Sequence, residues 1–187
     1  MIKKESFFQN YFIESGNYKK NIKKTTNIFK NFKEDFRKGK LPILETYNKN
    51  YKFKFINKTL KKYSKFKNII IIGMGGSILG TKTIYSFLNK KIRKKVFFFD
   101  NLDPNIILEY KKIKNLKNSC FIIVSKSGNT LETLTNLSII FSKNLFKNKL
   151  VIITEIKDNH LMNFASKYKA ELIEHKKFIG GRYSVMS

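Results

Sequence analysis

Residues 125–133 carry the side chains whose types and spacing most clearly suggest chemistry. They read SKSGNTLET and follow an apolar run, so a buried strand would turn into a helix here. The helix would direct free backbone N–H groups and the positive end of its dipole toward the turn. Together with hydroxyl donors and an ammonium group, this arrangement favours binding of a phosphate monoester. The candidate groups are Ser125, Lys126, Ser127, Gly128, Thr130 and Thr133.

A structural explanation of the same residues stays open. Serine, threonine and glycine are common in turns, whatever the function of the turn. Asn129 and Glu132 could form a capping box at the start of a helix that begins at Thr130. In that case the polar side chains would stabilise the helix end and would not contact a ligand.

A second glycine-rich turn, at residues 73–80, favours the phosphate hypothesis. It reads GMGGSILG and directly follows four isoleucines, a run that is typical of a parallel strand covered on both faces. The glycines would allow a tight turn in which backbone amides and the Ser77 hydroxyl approach one anion. A dinucleotide site is the alternative, although Ile78 interrupts the G-x-G-x-x-G spacing. Asp100, at the end of the next predicted strand, does not repair that pattern.

A third motif ends the sequence, where residues 178–187 read FIGGRYSVMS. Its glycine pair places Arg182 beside a tyrosine and a serine. In this order and spacing, the three motifs resemble the amino-terminal half of the glucose-6-phosphate isomerase family, which is built from two sugar-isomerase (SIS) domains. The likeness covers residues 69–187, with a weaker match before them, and GGRYS is its most specific part.

The resemblance implies an aldose–ketose isomerase that interconverts glucose 6-phosphate and fructose 6-phosphate without a cofactor or a metal. It implies that Arg182 is catalytic, because the family's arginine stabilises the enediolate formed when a proton leaves carbon 2. It places Gly181 against the sugar and implies a homodimer in the full-length enzyme. The residues that it assigns to the sugar-phosphate site are Gly76, Ser77, Ser125, Lys126, Ser127, Thr130 and Thr133.

The family's acid/base residues are not found in this sequence. Its general base is a glutamate that, like the histidine and lysine used for ring opening and proton transfer, belongs to the second half of the enzyme. We therefore expect this chain to be an amino-terminal fragment that is inactive alone. His160 and His175 are expected to be solvated, Glu132 to cap its helix, and Cys120 to be a buried small hydrophobe.

Two further classes of function remain as alternatives. One is another SIS-domain enzyme that acts on a different phosphosugar. The other is a non-catalytic regulator that binds a phosphosugar and changes its contact with a partner.

Composition indicates a globular protein with an unusual charge. Of 39 basic residues only three are arginine, and the net charge is +26. The lysines are spread along the chain with abundant Asn, Ile and Phe, a mixture that compositional drift produces. We therefore expect no nucleic-acid partner, because dedicated binders cluster their cations and favour arginine. We also expect no membrane partner, since no signal or span is apparent, and a cytoplasmic location, which suits a single cysteine.

Hydrophobic periodicity from residue 68 onward predicts strands alternating with helices. The predicted strands are 69–73, 95–99, 119–124, 149–153 and 171–175, and the predicted helices are 78–90, 104–114, 130–146 and 158–169. This order indicates an α/β fold, a doubly wound and mostly parallel five-stranded sheet of the SIS type. Residues 1–67 are predicted to be an amino-terminal helical arm and residues 68–187 a SIS domain. Within the arm, one or two helices would end near Gly39 and Pro42, with a further helical stretch between 43 and 64.

Overall fold

The computed structural model describes residues 15–47, 50–51, 57–141, 149–181 and 184–186. The chain divides into two compact units, Met1–Lys49 and Asn50–Ser187, and the second unit includes a helix ahead of the sheet. The division into an arm, 1–67, and a SIS domain, 68–187, stays a prediction.

Among its described residues, the first unit contains a long helix, α1 (Ser15–Arg37), followed by a 3-10 helix at Pro42–Tyr47. The helix ends in a Schellman motif, in which Gly39 has φ +66° and the N–H of Lys40 donates to the carbonyl of Asp35. The predicted end near Gly39 is therefore confirmed, whereas the predicted start of the helical arm lies outside the described residues. In the described part of the chain, no helix has both the length and the apolar content that crossing a bilayer requires.

The second unit is built on a five-stranded parallel sheet. Its strands are β1 (Asn68–Gly73), β2 (Lys95–Phe99), β3 (Ser119–Val124), β4 (Leu150–Thr154) and β5 (Glu171–Glu174). They lie in the order β2-β1-β3-β4-β5, with every pairing parallel. The predicted α/β sheet is confirmed, and each predicted strand agrees with an observed one to within one residue at either end.

Helices precede and connect the strands. They are α2 (Asn57–Ser64), α3 (Gly76–Leu88), α4 (Ile106–Lys111), α5 (Leu131–Ile140) and α6 (His160–Tyr168), with short 3-10 helices at Asn89–Lys91, Leu116–Asn118 and Ser184–Met186. The prediction was least accurate for the end of α5, which was expected at residue 146. The observed helix ends at Ile140, because Phe141 leaves the helical conformation with ψ 129°. Residues 142–148 lie outside the described residues. Helix α4 is also shorter than predicted, since it begins after Pro104 and ends before Asn115, which has φ +62°.

The core lies on both faces of the sheet, as alternation along the strands requires. Phe121 and Ile123 pack into the larger cluster with Ile70, while their neighbours Cys120 and Ile122 face a smaller cluster on the other side. Apolar residues on both faces explain why the strands read as nearly continuous hydrophobic runs.

The strand order brings two loops together. From β1 the chain runs first to β2 on one side, and β3 then lies on the other side of β1. Gly73 at the end of β1 is paired with Val124 at the end of β3. The loops that follow these two strands therefore begin side by side at the carboxyl end of the sheet, where open parallel sheets bind their ligands.

Candidate active site

Three hydroxyls converge in the loop after β3. Oγ of Ser125 lies 2.9 Å from Oγ1 of Thr130, and Oγ of Ser127 lies 3.3 Å from the same Thr130 oxygen. The backbone N–H groups of Gly128 and Asn129 donate to the Ser125 and Ser127 hydroxyls, at 3.2 Å each. These contacts fix a compact hydroxyl cluster, Ser125–Ser127–Thr130, directly before the first turn of α5. Such a cluster can donate several hydrogen bonds to one oxyanion.

The members of this loop differ in exposure. Ser127 is exposed and Thr130 is half-buried, whereas Ser125 and Thr133 are each 1% exposed. Oγ1 of Thr133 has no hydrogen-bond partner among the described residues. An unpartnered buried hydroxyl is uncommon in folded proteins, so Thr133 keeps an unused donor in the first turn of the helix.

The loop is not a simple helix cap. Thr130 occupies the N-cap position of α5, yet its side chain makes no capping hydrogen bond. Oδ1 of Asn129 accepts from the N–H of His160, 2.9 Å away, and so faces a different helix. The expectation that Glu132 caps the helix finds no support, because the capping box needs the reciprocal bond that Thr130 and Asn129 do not make.

Residues at the start of α6 contact the loop after β3. Asn159 is 4% exposed, and its Oδ1 accepts from the N–H of Met162. Its Nδ2 donates to the carbonyls of Glu155 and Lys157 in its own loop, which follows β4. Gly128 has φ +71°, and a Cβ built on it would lie 2.0 Å from Oδ1 of Asn159. The N–H of Leu161 donates to the carbonyl of Gly128. Glycine is therefore required at position 128 by both its backbone angle and its neighbour.

Sequence reasoning missed the role of Asn159. The residue lies 31 positions beyond Gly128, so no local motif joins the two. Asn159 falls on the second residue of the predicted helix 158–169, whereas the observed helix begins one residue later. Its residue type was the available signal, because asparagine is a preferred N-cap residue.

Lys126 connects the loop to two other segments. Its Nζ lies 3.8 Å from Oε1 of Glu155, whose other oxygen is 2.7 Å from Nζ of Lys157. The hydrogen bond from Lys157 is the main cause that lowers the pKa of Glu155. The same Lys126 Nζ lies 3.6 Å from the position of a Cβ built on Gly180. Lys126 is therefore within reach of the glycine pair.

The glycine pair also contacts the loop after β1. A Cβ built on Gly76 would lie 2.7 Å from the carbonyl oxygen of Gly181, so only glycine allows this approach. Oγ of Ser184 donates to the carbonyl of Gly76 at 3.4 Å. Gly76 begins α3, whose second residue is the half-buried Ser77. The third motif therefore lies on the amino-terminal turn of α3.

The structure thus brings the three motifs to one place, through Gly76 against Gly181 and Lys126 near Gly180. Arg182, the residue expected to be catalytic, lies outside the described residues. No group of three His, Cys, Asp or Glu residues in the described ranges is arranged to hold a metal ion.

The two histidines and the cysteine that were considered as catalytic candidates have the surroundings of structural residues. His160 is exposed at the start of α6, and Nδ1 of His175 contacts the carbonyl of the next residue at 3.1 Å. Cys120 is 2% exposed, and burial raises the pKa of its thiol to about 12. The expectation that Cys120 is a buried small hydrophobe is confirmed.

Known proteins of one enzyme family are similar to this chain. The sequence matches the family model described as phosphoglucose isomerase over residues 43–187. A glucose-6-phosphate isomerase of Methanocaldococcus jannaschii is 39% identical over 131 residues, which are 68% of this chain and 32% of the relative. A glucose-6-phosphate isomerase of Borreliella burgdorferi is 38% identical over 135 residues, 66% of this chain and 25% of the relative.

A solved structure of a glucose-6-phosphate isomerase is also similar to this chain. The crystal structure of a glucose-6-phosphate isomerase from Chlamydia trachomatis matches with a TM-score of 0.59 and 29% identity, covering 68% of this chain and 26% of that one. The chain thus spans between a quarter and a third of the length of the relatives that it matches. With the family model matching most of its residues, the chain belongs to the phosphoglucose isomerase family.

Proposed function

We propose that this chain supplies the amino-terminal part of the active site of an isomerase that interconverts glucose 6-phosphate and fructose 6-phosphate. The observation that carries the proposal is the convergence of three separate motifs, with Gly76 against Gly181 and Lys126 near Gly180. Membership of the phosphoglucose isomerase family supports the choice of reaction.

In this proposal the loop after β3 binds the phosphate group. The Ser127 and Thr130 hydroxyls donate to phosphate oxygens, and the amino-terminal turn of α5 adds backbone N–H groups and its dipole. Ser125 lies beneath them and orients Thr130 through their 2.9 Å contact. Ser77 and Gly76 border the phosphate from the loop after β1, and Thr133 supplies its unused buried hydroxyl.

Lys126 is proposed to exchange partners when the ligand binds. Its ammonium lies 3.8 Å from Glu155, which keeps a shorter 2.7 Å ion pair with Lys157. Glu155 therefore stays neutralised when Lys126 turns toward a phosphate. A dianion is the stronger partner for an ammonium group that is already half exposed.

Arg182 is proposed to stabilise the enediolate that forms when a proton leaves carbon 2 of the sugar. Gly180 and Gly181 have no side chains, so the sugar can lie close to their backbone while Arg182 acts on it. Preorganised positive charge at the developing oxyanion lowers the barrier of such a step.

The proton transfer between carbons 1 and 2 needs an acid/base group within hydrogen-bond reach. Glu155 is a described carboxylate close to Lys126, but its lowered pKa makes it a weak base. We propose that the acid/base group comes from sequence beyond these 187 residues, that the full-length enzyme is a cytoplasmic homodimer, and that this chain alone binds phosphosugar without turning it over.

Calorimetric titration of fructose 6-phosphate into the chain tests the proposal. Ser125→Ala with Thr130→Ala should weaken binding at least about tenfold, because hydrogen bonds to a charged group are lost. Ser127→Ala, at an exposed position, should weaken it severalfold without disturbing the fold. Ser138→Ala on the same helix α5 is the control, because its hydroxyl bonds only the carbonyl of Thr135 in the described structure. Equal affinity in all three variants would remove the loop from the phosphate site.

A further inference from the structure

A recess lies at the amino end of the sheet, opposite the candidate active site. It has a volume of about 820 Å³ and lies at the first residues of β1 and β2 and the turn after α4. Strand β1 separates it from the loops at the carboxyl end by six residues, or about 16 Å. Its charged lining, apart from Lys94, is formed by Lys65, Lys67, Arg93, Lys95, Lys112 and Lys114.

The charge of this basic recess exceeds what the composition of the chain explains. Seven of its eleven lining residues are lysine or arginine, against 39 of 187 in the whole chain, and none is acidic. It includes Arg93, one of only three arginines. The six side chains other than Lys94 are exposed and form no ion pair with a described carboxylate. Cations that line one recess without a carboxylate partner repel one another, so a multivalent anion would stabilise them.

Hydrogen bonds from side chains to backbone carbonyls fix the wall of the recess. Nζ of Lys94 donates to the carbonyls of Ser64 and Phe66, which ties β2 to the end of α2. The buried Asn68 donates from Nδ2 to the carbonyl of Lys114 at 2.8 Å. These hydrogen bonds therefore fix the backbone segments that carry the cationic side chains.

Two aromatic residues also line the recess. Phe66 is 6% exposed, and Phe97 is half-buried. Because helices that connect parallel strands end at this side of the sheet, their dipoles do not favour an anion here. Attraction for an anion must come from the lysine and arginine side chains alone, and it should be sensitive to salt.

We propose that the basic recess binds a small polyphosphate anion, one with at least three linked phosphate groups. A monoester carries two charges and would leave most of the six exposed cations without a partner. The volume is in the range of pockets that enclose small ligands, whereas an extended nucleic acid needs a track along the surface. This inference does not depend on the proposed isomerase activity.

Calorimetric titration of inorganic tripolyphosphate into the chain at about 50 mM salt tests the inference. We expect one saturable site, and Arg93→Gln with Lys95→Gln should weaken binding at least about tenfold. Lys112→Gln with Lys114→Gln should do the same from the other wall, which protects the test against misfolding of one variant. Titration of ATP separates two sources of the chemistry, since tighter binding than tripolyphosphate indicates a nucleotide and equal binding indicates the phosphate chain alone.

Lys23→Gln with Lys24→Gln, at exposed positions on α1, removes the same charge elsewhere and should change the affinity less than about twofold. Equal losses in this control and in the recess variants would overturn the inference, because net charge alone would then explain binding. Binding of a short single-stranded RNA through Arg93 and Lys95, with no saturable tripolyphosphate site, would also overturn it.

Discussion

The two ends of the parallel sheet differ in what they offer an anion. At the carboxyl end the groups are short hydroxyls, backbone N–H groups and glycines, each fixed by hydrogen bonds or by contacts that admit no side chain. At the amino end they are long, exposed lysine and arginine side chains in a recess that two aromatic residues also line. The first arrangement suits a ligand of one shape, whereas the second suits a ligand of high charge.

This difference predicts which end of the sheet should be more selective among anions. Preorganised donors lose little entropy on binding and distinguish ligands by geometry. Exposed cations lose more side-chain entropy and are screened by salt, so they distinguish ligands mainly by charge. Four substitutions or conditions test the contrast, in order of decreasing expected effect.

The largest effect is expected for Arg182→Lys in a chimera in which this chain replaces the matching part of the Methanocaldococcus jannaschii enzyme. We expect kcat to fall by about a hundredfold to a thousandfold with little change in KM, because the planar guanidinium is proposed to act on the transition state. Arg93→Lys, at the other end of the sheet, is the matched control and should leave both constants unchanged. A change confined to KM for Arg182→Lys would move that residue to ground-state binding.

The next largest effect concerns the support of the loop after β3. Gly128→Ala should lower the free energy of unfolding by about 3 kcal/mol, since the new Cβ would collide with Asn159 at a positive φ. Gly39→Ala also has a positive φ but open space around it, and should cost only about 1 kcal/mol. Urea denaturation measures both. Equal losses would mean that the contact with Asn159 is not rigid.

Salt should weaken binding at the amino end of the sheet at least about threefold more than at the carboxyl end. Between about 50 and 500 mM sodium chloride, tripolyphosphate affinity should fall more than about tenfold, while fructose 6-phosphate affinity should fall less than about threefold. The reason is that screening weakens the attraction of six exposed cations, whereas most donors proposed for the sugar phosphate are hydroxyls and backbone N–H groups without net charge. Parallel losses measured by calorimetry would mean that both ligands are held by surface charge.

The smallest effect is expected for the ion pair beneath the active site. The pKa of Glu155 is lowered by its hydrogen bond from Lys157, so the pair stabilises the folded state above the ordinary glutamate pKa of 4.5. That contribution is lost as the pH falls from 4.5 through the lower folded value. Lys157→Gln should therefore lower the midpoint of thermal unfolding slightly at pH 7 and by less at pH 3. A constant difference across this range would assign the effect to packing.

Much of the fold could be predicted because the strands are strongly patterned. The four isoleucines at 69–72 and the run 121–124 have no competing periodicity, and glycines or polar residues bound them. Helix ends were less predictable. Helix α4 begins after Pro104, later than predicted. The reason is that Asp103 Oδ1 accepts from the N–H of Asn105, which forms a turn ahead of the helix.

The candidate site was predictable where its residues are adjacent in sequence, as in SKSGNT. The brace from Asn159 was not, because it joins residues far apart in the chain. The basic recess was hidden for the same reason. Its cations come from three separate segments near residues 65, 93 and 112, and the arrangement of the strand ends makes them one surface.

The central claim is that phosphosugar binds to the three motifs at the carboxyl end of the sheet. The most direct test is an NMR titration that follows backbone amides while fructose 6-phosphate is added. The account predicts saturable shifts at residues 126–131, 75–78 and 179–181, and none at residues 93–97. Shifts confined to residues 65–68 and 93–97 would contradict it, because the sugar phosphate would then occupy the basic recess.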